Sequence, residues 1–478
     1  MVTLIIIVCA VTAAAQIPTI TITTSGGKQP PGMDAIGRPC GQHPSPILDY
    51  IELTGFSITN AGLNDVKVNV TKSDFIRRRG NSTATGGAGT GNMTKIPYRV
   101  KFDKRINLLD MGPSKNWALL ANYYDPSFML NTIAFELGNR LGLDYSRPNK
   151  FVNVTFNGVN QGIYMLTPQL EANEYAGVNV ELDNGGWLVE FDYHGGSDAQ
   201  DCLRFFTASS GGYNMNTKII GPSLSNLPLV NGWPDISKYS YVKNDINGLM
   251  SKMREKGFPN NGYRDLIDVL DWAKYVLIQL FMDNFDFNNK AMAYGGGFGG
   301  WMGGGSGAAE PGSNYAYKIN ASGKIKAGPL WDFDLAAGVS ANSMDFQHFT
   351  SHTDMTAPEH PFYKRLWQDK EVGGFLMQYR CVWDQFKSVF QSMSQPGGFI
   401  DTQMELLASS AAGNIHHGAG GQTGMSYQSY GAVRYANEKE YRTYVGKLKT
   451  WWNKRYAYFD KKVPSFKNLS CNGVPSAN

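Results

Sequence analysis

The order of hydrophobic patterns along the 478 residues constrains the fold most strongly. Between about residues 46 and 170, apolar and polar side chains alternate in short runs. In one of these runs Tyr98, Val100 and Phe102 alternate with polar neighbours, which predicts a half-buried strand. From residue 187, after one more strand, the pattern becomes mainly helical. The sequence therefore predicts a strand-rich N-terminal part followed by a mainly helical part.

One helix interrupts the predicted strands. Asp125 is suited to cap its N-terminus, Pro126 suits its first turn, and Gly142 stands where a helix commonly ends. Between them the apolar residues recur at helical spacing and form one stripe, which consists of Leu130, Ile133, Ala134, Leu137 and Leu141. This stripe predicts a helix packed on the sheet.

Composition and charge narrow the function classes. The net charge is only +4, and no cluster of Lys and Arg is dense enough to predict a nucleic-acid partner. Residues 4–15 are apolar and end in three alanines, which is typical of a secretory signal in residues 1–15. No later run reaches the roughly 18 uninterrupted apolar residues of a membrane span. We therefore expect a protein without a membrane span that is secreted or lies in the secretory pathway or at the cell surface.

The cysteines and glycosylation sequences agree with secretion. After signal removal Cys40, Cys202, Cys381 and Cys471 remain, which allows two disulfides in any of three pairings. Six Asn-X-Ser/Thr sequences could accept glycans in a eukaryotic host, at Asn69, Asn81, Asn92, Asn153, Asn320 and Asn468.

The strongest chemical signal is acidic. Asp332 and Asp334 lie two residues apart in an apolar run that includes Trp331 and Phe333. Burying an unpaired carboxylate costs several kcal/mol, so each acid needs a counter-charge or hydrogen-bond donors. A divalent cation such as Mg²⁺ would supply the charge. The alternative, carboxylates that cap loops or pair with arginine, remains equally open on spacing alone.

Two weaker signals point to phosphate chemistry. Asp286 is followed closely by Asn288 and Asn289, as in a kinase catalytic loop. Upstream, residues 79–83 precede a glycine-rich stretch whose backbone N–H groups could approach phosphates, although no Walker motif follows. Flexible or ordinary loops are the alternative in both places.

Several segments together, over about residues 75–340, resemble the CotH (spore-coat protein H) kinase family. The segments that carry the resemblance occur in the family's order and are 79–83, 95–104, 107–109, 115–122, 134–138, 157–164, 284–286 and 328–334. The resemblance implies an α+β, protein-kinase-like fold of two lobes: an N-lobe of antiparallel sheet plus helix, and a mainly helical C-lobe. It also implies ATP and Mg²⁺ or Mn²⁺ as cofactors, with serine or threonine of a protein substrate as the acceptor.

The resemblance also assigns roles to residues. Asp286 matches the catalytic aspartate and Asp332 the metal-binding one, with Asn288 or Asn289 and Asp334 as further metal ligands. The predicted phosphate-binding residues are Lys101, with Glu136 as its helical partner, and the turn formed by Arg79, Gly80, Asn81 and Ser82.

The predicted organisation follows from these assignments. The expected units are a signal peptide (1–15), an irregular lead-in (16–45), an N-lobe (46–172), a linker (173–186), a C-lobe (187–465) with a glycine-rich insertion (295–313), and a tail (466–478).

The sequence departs from the family at Ala291, where the family usually has a metal-binding asparagine. A weakly active enzyme or a pseudokinase is therefore an alternative. A second alternative is a secreted or surface binding protein of the adhesin type, which contacts a host or cell-surface protein through the glycine-rich insertion.

Overall fold

The computed structural model describes residues 16–31, 50–59, 65–80, 95–192, 202–210, 213–284, 286–287, 311–338, 360–417, 432–463 and 471. The predicted signal segment, the glycine-rich insertion up to residue 310 and the predicted tail apart from Cys471 lie outside these residues.

The first sheet closes into a seven-stranded barrel. Its strands, with β3 attached to β2 outside the closed ring, are β1 (Thr19–Thr24), β2 (Ile51–Thr59), β3 (Val66–Val68), β4 (Phe75–Arg78), β5 (Tyr98–Asn107), β6 (Pro113–Leu120), β7 (Lys150–Phe156) and β8 (Val159–Pro168). The order around the barrel is β1-β7-β8-β6-β5-β4-β2. β1 closes the ring because it pairs antiparallel with β2 and parallel with β7.

The predicted two-lobed kinase-like fold, with an antiparallel-sheet N-lobe and a helical C-lobe, is therefore wrong. The segment expected to be an irregular lead-in supplies β1, in which alternating isoleucines are buried. That strand turns an open sheet into a barrel and adds a parallel pair to it. The C-terminal part also carries a second sheet, where the sequence predicted mainly helices.

Alternation along β5 divides the barrel wall into two faces. Tyr98, Val100 and Phe102 are buried, and the Tyr98 ring stacks on Phe156 of β7 with ring centroids 5.0 Å apart. Successive side chains of a strand point to opposite faces, so Arg99 and Lys101 lie on the outer face. The predicted strand at 98–102 and the hairpin at Asn157-Gly158 are both confirmed.

The predicted helix is confirmed as α1 (Leu130–Arg140). Asp125 stabilises its approach, because its carboxylate accepts hydrogen bonds from the backbone N–H groups of Ser127 (2.7 Å) and Leu130 (2.8 Å). Gly142 follows the helix with a φ of +67°, which glycine adopts without strain. The helix therefore ends where the sequence predicts, but it begins at Leu130, later than the predicted cap at Asp125 and first turn at Pro126, because Asp125 stabilises the turn before the helix rather than capping it.

The second sheet has five strands in the order β10-β11-β9-β14-β15. Two small hairpins, β12–β13 and β16–β17, contain the other strands of the described C-terminal part. The strands of this sheet and of the two hairpins are β9 (Trp187–Phe191), β10 (Phe205–Ser210), β11 (Tyr213–Gly221), β12 (Leu229–Val230), β13 (Trp233–Pro234), β14 (Asn314–Lys318), β15 (Lys326–Ala327), β16 (Ile415–His417) and β17 (Ala432–Arg434).

Helices complete the C-terminal part. They are α2 (Ser240–Arg254), α3 (Tyr263–Leu266), α4 (Val269–Phe281), α5 (Pro361–Leu366), α6 (Phe375–Ser392), α7 (Phe399–Ala411) and α8 (Glu438–Lys462), with short 3₁₀ turns at Ser25–Gly27, Leu182–Asn184, Cys202–Arg204, Leu224–Asn226 and Ile236–Tyr239. α4 is central: its last residue, Phe281, packs against Trp383 of α6 and Trp452 of α8. Within the described residues, no helix is both long and apolar enough to cross a membrane.

A disulfide joins the C-terminal end of the described chain to this helical core. Cys381 of α6 is bonded to Cys471, which lies beyond α8 and 90 residues further along the chain. Cys40 lies outside the described residues. One of the pairings that the sequence left open is therefore present.

Candidate functional site

A cleft of about 580 Å³ separates the outer face of the barrel from the second sheet. The barrel side comprises β4, β5, β6 and the segment after β8. The opposite side comprises β9, β11, β14 and two acidic segments, around Asp286 and around Asp332 and Asp334.

Cations line the barrel side of the cleft because of the strand alternation. Arg77 of β4 lies directly opposite Arg99 of β5, and Arg79 and Lys101 extend the same face. Like charges directly opposite each other on a sheet are destabilising. Arg99 is paired with Glu171 of the same wall (2.6 Å), and the other cations leave this wall with an excess of positive charge.

Arg79 reaches furthest towards the acidic side. Its guanidinium lies over the Trp331 ring, 5.3 Å from the centroid, and its backbone N–H donates to the Pro97 carbonyl (3.0 Å). Burial lowers the pKa of Arg79 from its ordinary value, and the nearby Asp332 carboxylate opposes that shift. Arg79 thus lies between the two walls of the cleft, next to Asp332.

α1 positions the acidic run. Its Asn131 accepts a hydrogen bond from the Phe333 backbone N–H through Oδ1 (2.8 Å), and its Phe135 ring stacks on Trp331 with centroids 6.3 Å apart. Gly138 leaves room for Leu330, whose Cδ1 would lie 2.8 Å from a Cβ at that position. The helix therefore fixes residues 330–333 against the barrel.

Asp332 adopts an unusual backbone conformation, with a φ of +64°. Non-glycine residues in this region are uncommon, and they persist when their surroundings determine them. Asn284 donates to the Asp332 carbonyl (3.3 Å), while Ser313 Oγ donates to Asp332 Oδ2 (3.1 Å). The same Asn284 accepts from the backbone N–H of Asp286 (3.2 Å), so it ties the two acidic segments together.

The carboxylates of the cleft interact strongly. Burial raises the pKa of Asp286 to about 8, with Asp332 and Asp192 adding to the shift. Burial also raises the pKa of Asp334 well above its usual range, followed by the effects of Asp332 and Asp286. These carboxyls resist ionisation because they lie close together in a poorly solvated site.

The donor chemistry of these acids fits a hard divalent cation. Mg²⁺ prefers carboxylate oxygens, and it commonly takes one or two of them together with phosphate and water. Among the described residues, no group of three or more His, Cys, Asp or Glu side chains is arranged to hold a metal ion by itself.

Two further acids of the cleft were missed in the sequence. Glu190 and Asp192, only 9% and 8% exposed, lie at the end of β9. The Tyr315 hydroxyl donates to Glu190 Oε1 (2.7 Å), and burial raises the pKa of Glu190 while Lys218 opposes the shift. Two acids two residues apart at the end of an apolar strand were the available signal, the same that marked Asp332 and Asp334.

The structure brings together only part of the predicted site. Arg79, Gly80 and Lys101 line the cleft with Asp286, Asp332 and Asp334. Glu136 does not meet Lys101: its Oε1 pairs with Arg140 Nε at 2.7 Å, one turn along α1. The predicted residues Asn81, Ser82, Asn288 and Asn289 lie outside the described part of the chain.

The C-terminal helix supports the acidic segment from behind. Arg455 of α8 is 1% exposed and donates to the carbonyls of Leu280 and of Phe281 (3.0 Å for the latter) at the end of α4. It also faces Asp283, three residues before Asp286. Burial raises the pKa of Asp283 to about 7, and Arg455 opposes that shift.

Comparison with known proteins assigns the family. No curated protein is significantly similar to this chain in sequence. The family model described as CotH kinase protein matches residues 76–459, which is most of the chain and includes both walls of the cleft. The chain therefore belongs to the CotH kinase family.

Proposed function

We propose that this protein is an ATP-dependent kinase that phosphorylates serine or threonine residues of proteins in the secretory pathway. Membership of the CotH kinase family indicates a kinase-like function. One observation carries the proposal: a wall of arginines and a group of interacting carboxylates face each other across a single cleft.

In this proposal the barrel side of the cleft binds the phosphates, and the acidic side binds the divalent cation. Arg79 and Lys101 contact the phosphates from the barrel side, where fixed positive charge stabilises the transferring group. Asp332 and Asp334 would hold the divalent cation, which neutralises charge on the phosphates. The arginines and carboxylates are positioned by β4, β5 and α1, so little reorganisation is needed.

Asp286 orients the acceptor hydroxyl. The hydroxyl oxygen forms a bond to the γ-phosphorus, the bond from that phosphorus to the oxygen bridging to the β-phosphate breaks, and ADP leaves. The hydroxyl proton passes to the Asp286 carboxylate. Burial raises the pKa of Asp286, with Asp332 and Asp192 adding to the shift, so the ionised carboxylate is a stronger proton acceptor than an ordinary aspartate.

The compartment is part of the proposal. The predicted signal segment in residues 1–15 and the disulfide between Cys381 and Cys471 both support an oxidising, secretory environment.

Incubation of the purified protein with labelled ATP, Mn²⁺ or Mg²⁺ and a mixture of unfolded acceptor proteins tests the activity. We expect incorporation of label into serine and threonine. Asp286→Asn should reduce the rate by about 10² to 10⁴, the range for loss of a positioned acid–base group, and Asp332→Asn should also reduce it because a ligand of the cation is lost. Asp183→Asn, an exposed acid outside the cleft, is the matched control and should keep full activity.

Label transfer that persists in both cleft variants would overturn the assignment of the cleft. Absence of ATP binding and of transfer in the wild-type protein would favour the alternative, a binding protein of the secretory route.

A further inference from the structure

The end of the cleft beside the segment after β8 contains a polar cluster formed by Arg99, Asn116, Gln169 and Glu171. Asn116 of β6 lies opposite Lys101 of β5, and the Gln169 backbone N–H donates to the Asn116 carbonyl (2.9 Å). The cluster therefore lies on the barrel side and is built from regular backbone pairing.

Glu171 fixes how Asn116 is oriented. Arg99 Nη2 donates to Glu171 Oε1 at 2.6 Å, and Asn116 Nδ2 donates to Glu171 Oε2 at 3.1 Å. A carboxylate only accepts hydrogen bonds, so the amide nitrogen of Asn116 must face it. The Asn116 Oδ1 atom is thereby held as a hydrogen-bond acceptor on the other side of the amide.

Three polar atoms of this cluster are buried and have no hydrogen-bond partner within the described part of the chain. They are Asn116 Oδ1, Gln169 Oε1 and Arg99 Nε. Leaving a buried polar atom without a partner is destabilising, so several such atoms in one corner of a cleft indicate a bound group. The corner offers acceptor oxygens next to a donor nitrogen.

We propose that this cluster binds the nucleobase and selects a 6-aminopurine. The inference rests on the proposed function, which it makes more specific. Adenine presents an amino donor beside a ring-nitrogen acceptor, whereas guanine and hypoxanthine present a carbonyl oxygen at the same place. The amino group donates to Asn116 Oδ1 and a ring nitrogen accepts from Arg99 Nε. A 6-oxo purine would instead set its oxygen against the fixed oxygen of Asn116.

The position along the strands agrees with this assignment. Arg79 lies beside Pro97 and close to Asp332, at the acidic end of the cleft. Asn116 lies opposite Lys101, four residues further along β5. At a rise of 3.2–3.4 Å per residue the separation is roughly 13 Å, a span that ribose and a phosphate chain can bridge.

Calorimetric binding of ATP and of ITP, each with Mg²⁺, tests the inference, because the two nucleotides differ only at the purine 6-position, amino or oxo, and at the adjoining N1, which carries a proton in the 6-oxo base. We expect the wild-type protein to bind ATP about tenfold or more tightly than ITP, since one good pair of base contacts discriminates by about 1–3 kcal/mol. Asn116→Leu should bring the two affinities within about twofold by weakening ATP binding. Asn139→Leu, an exposed asparagine of α1 outside the cleft, should retain the preference.

Equal affinity of the wild-type protein for ATP and ITP would overturn the base assignment while leaving nucleotide binding in place. Failure of both nucleotides to bind would overturn the proposed function and this inference with it. The wild-type comparison decides the matter even if Asn116→Leu does not fold.

Discussion

At the scale of single residues, Arg79 links the two walls of the cleft, because it lies over Trp331 and interacts with Asp332. Asp286, Asp332 and Asp334 line the cleft. The sequence marks such acids, because a carboxylate within an apolar run must have a partner that offsets the cost of burying it. No comparable pattern marks Arg79, the cation of the barrel side that interacts with Asp332. Strand alternation places both Arg79 and Lys101 on the outer face of the barrel, but only the folded structure shows that Arg79 stacks on Trp331 and faces Asp332.

Arg79 is therefore predicted to matter more than Lys101 for phosphate binding. Arg79→Met should weaken MgATP binding about tenfold to a hundredfold, the range for loss of a charged hydrogen bond. Arg79→Lys should restore little, because an ammonium does not reproduce the stacked planar guanidinium. Calorimetric titration with MgATP measures both effects.

Arg105→Met, an exposed arginine of β5 outside the cleft, is the control and should bind normally. A Lys101→Met defect much larger than that of Arg79→Met would show that the lysine is the principal phosphate contact.

Lys95 gives a prediction for pH. It is fully buried, lies over the Phe128 ring at 4.6 Å, and donates to Asn414 Oδ1 at 3.3 Å. Burial lowers its pKa from 10.5 to about 7, although Asp125 opposes the shift. Between these two pH values the unfolded chain keeps the lysine proton while the folded protein has released it.

The free energy of unfolding should therefore rise as the pH increases from about 7 to about 10, by at most about 1.4 kcal/mol per pH unit. Below about pH 7 the folded protein carries the full cost of burying the charged Lys95 ammonium. Lys95→Met should be more stable than wild type at pH 6, and this advantage should shrink towards pH 10. Chemical denaturation across the pH range tests this. A constant difference would show that Lys95 does not titrate in this window.

At the scale of elements, α8 acts as a support for the acidic loop. Arg455 donates to the C-terminal carbonyls of α4 and faces Asp283. Arg455→Met should lower the free energy of unfolding by about 3–5 kcal/mol, because it leaves a buried carboxylate without its cation. It should also speed hydrogen exchange in residues 280–287, which exchange mass spectrometry can measure.

Two further variants test whether the effect of Arg455→Met comes from its interaction with Asp283. Arg442→Met, on the same helix as Arg455, removes an exposed ion pair with Glu405 of α7 and should cost at most about 1 kcal/mol. Asp283→Asn added to Arg455→Met should recover part of the loss, since the two residues interact. Full additivity of the two changes would contradict the assigned coupling.

The disulfide holds the chain beyond α8 on α6. Because 90 residues separate Cys381 and Cys471, replacing both with serine should lower the free energy of unfolding by about 2–5 kcal/mol. Urea denaturation of the wild-type protein with reductant should then match that of the double variant without it. Peptide mapping that finds Cys381 and Cys471 as free thiols in protein purified without reductant would contradict this pairing.

Elements defined by neighbouring residues could be predicted from the sequence, whereas an element defined by a distant strand pairing could not. Local signals predicted α1, β5 and the β7–β8 hairpin, because caps, alternation and a turn pair lie within a few residues of each other. β1 was missed although threonine and isoleucine alternate in it, since its flanks are rich in Gly and Pro. Its parallel partner β7 lies about 130 residues away, and no local pattern encodes that pairing.

At the scale of the whole molecule, the barrel changes how the site is built. The antiparallel sheet of the predicted N-lobe would have been open, whereas the closed barrel presents its outer face to the cleft. The residues missed in the sequence belong to this arrangement. Glu190 and Asp192 come from the end of a strand of the second sheet. Glu136, predicted from the sequence as the partner of Lys101, pairs with Arg140 instead. Single motifs identified the chemistry, but the tertiary fold determines which side chains meet.

The central claim is that the cleft binds a metal–nucleotide complex between Arg79 and the aspartates. A crystal structure with Mn²⁺ and a non-hydrolysable ATP analogue tests it directly, because manganese can be located by anomalous scattering. We predict an anomalous peak within coordination distance of Asp332, phosphates against Arg79, and the adenine at Asn116. Nucleotide bound outside the cleft, or manganese held away from Asp332, would contradict the account.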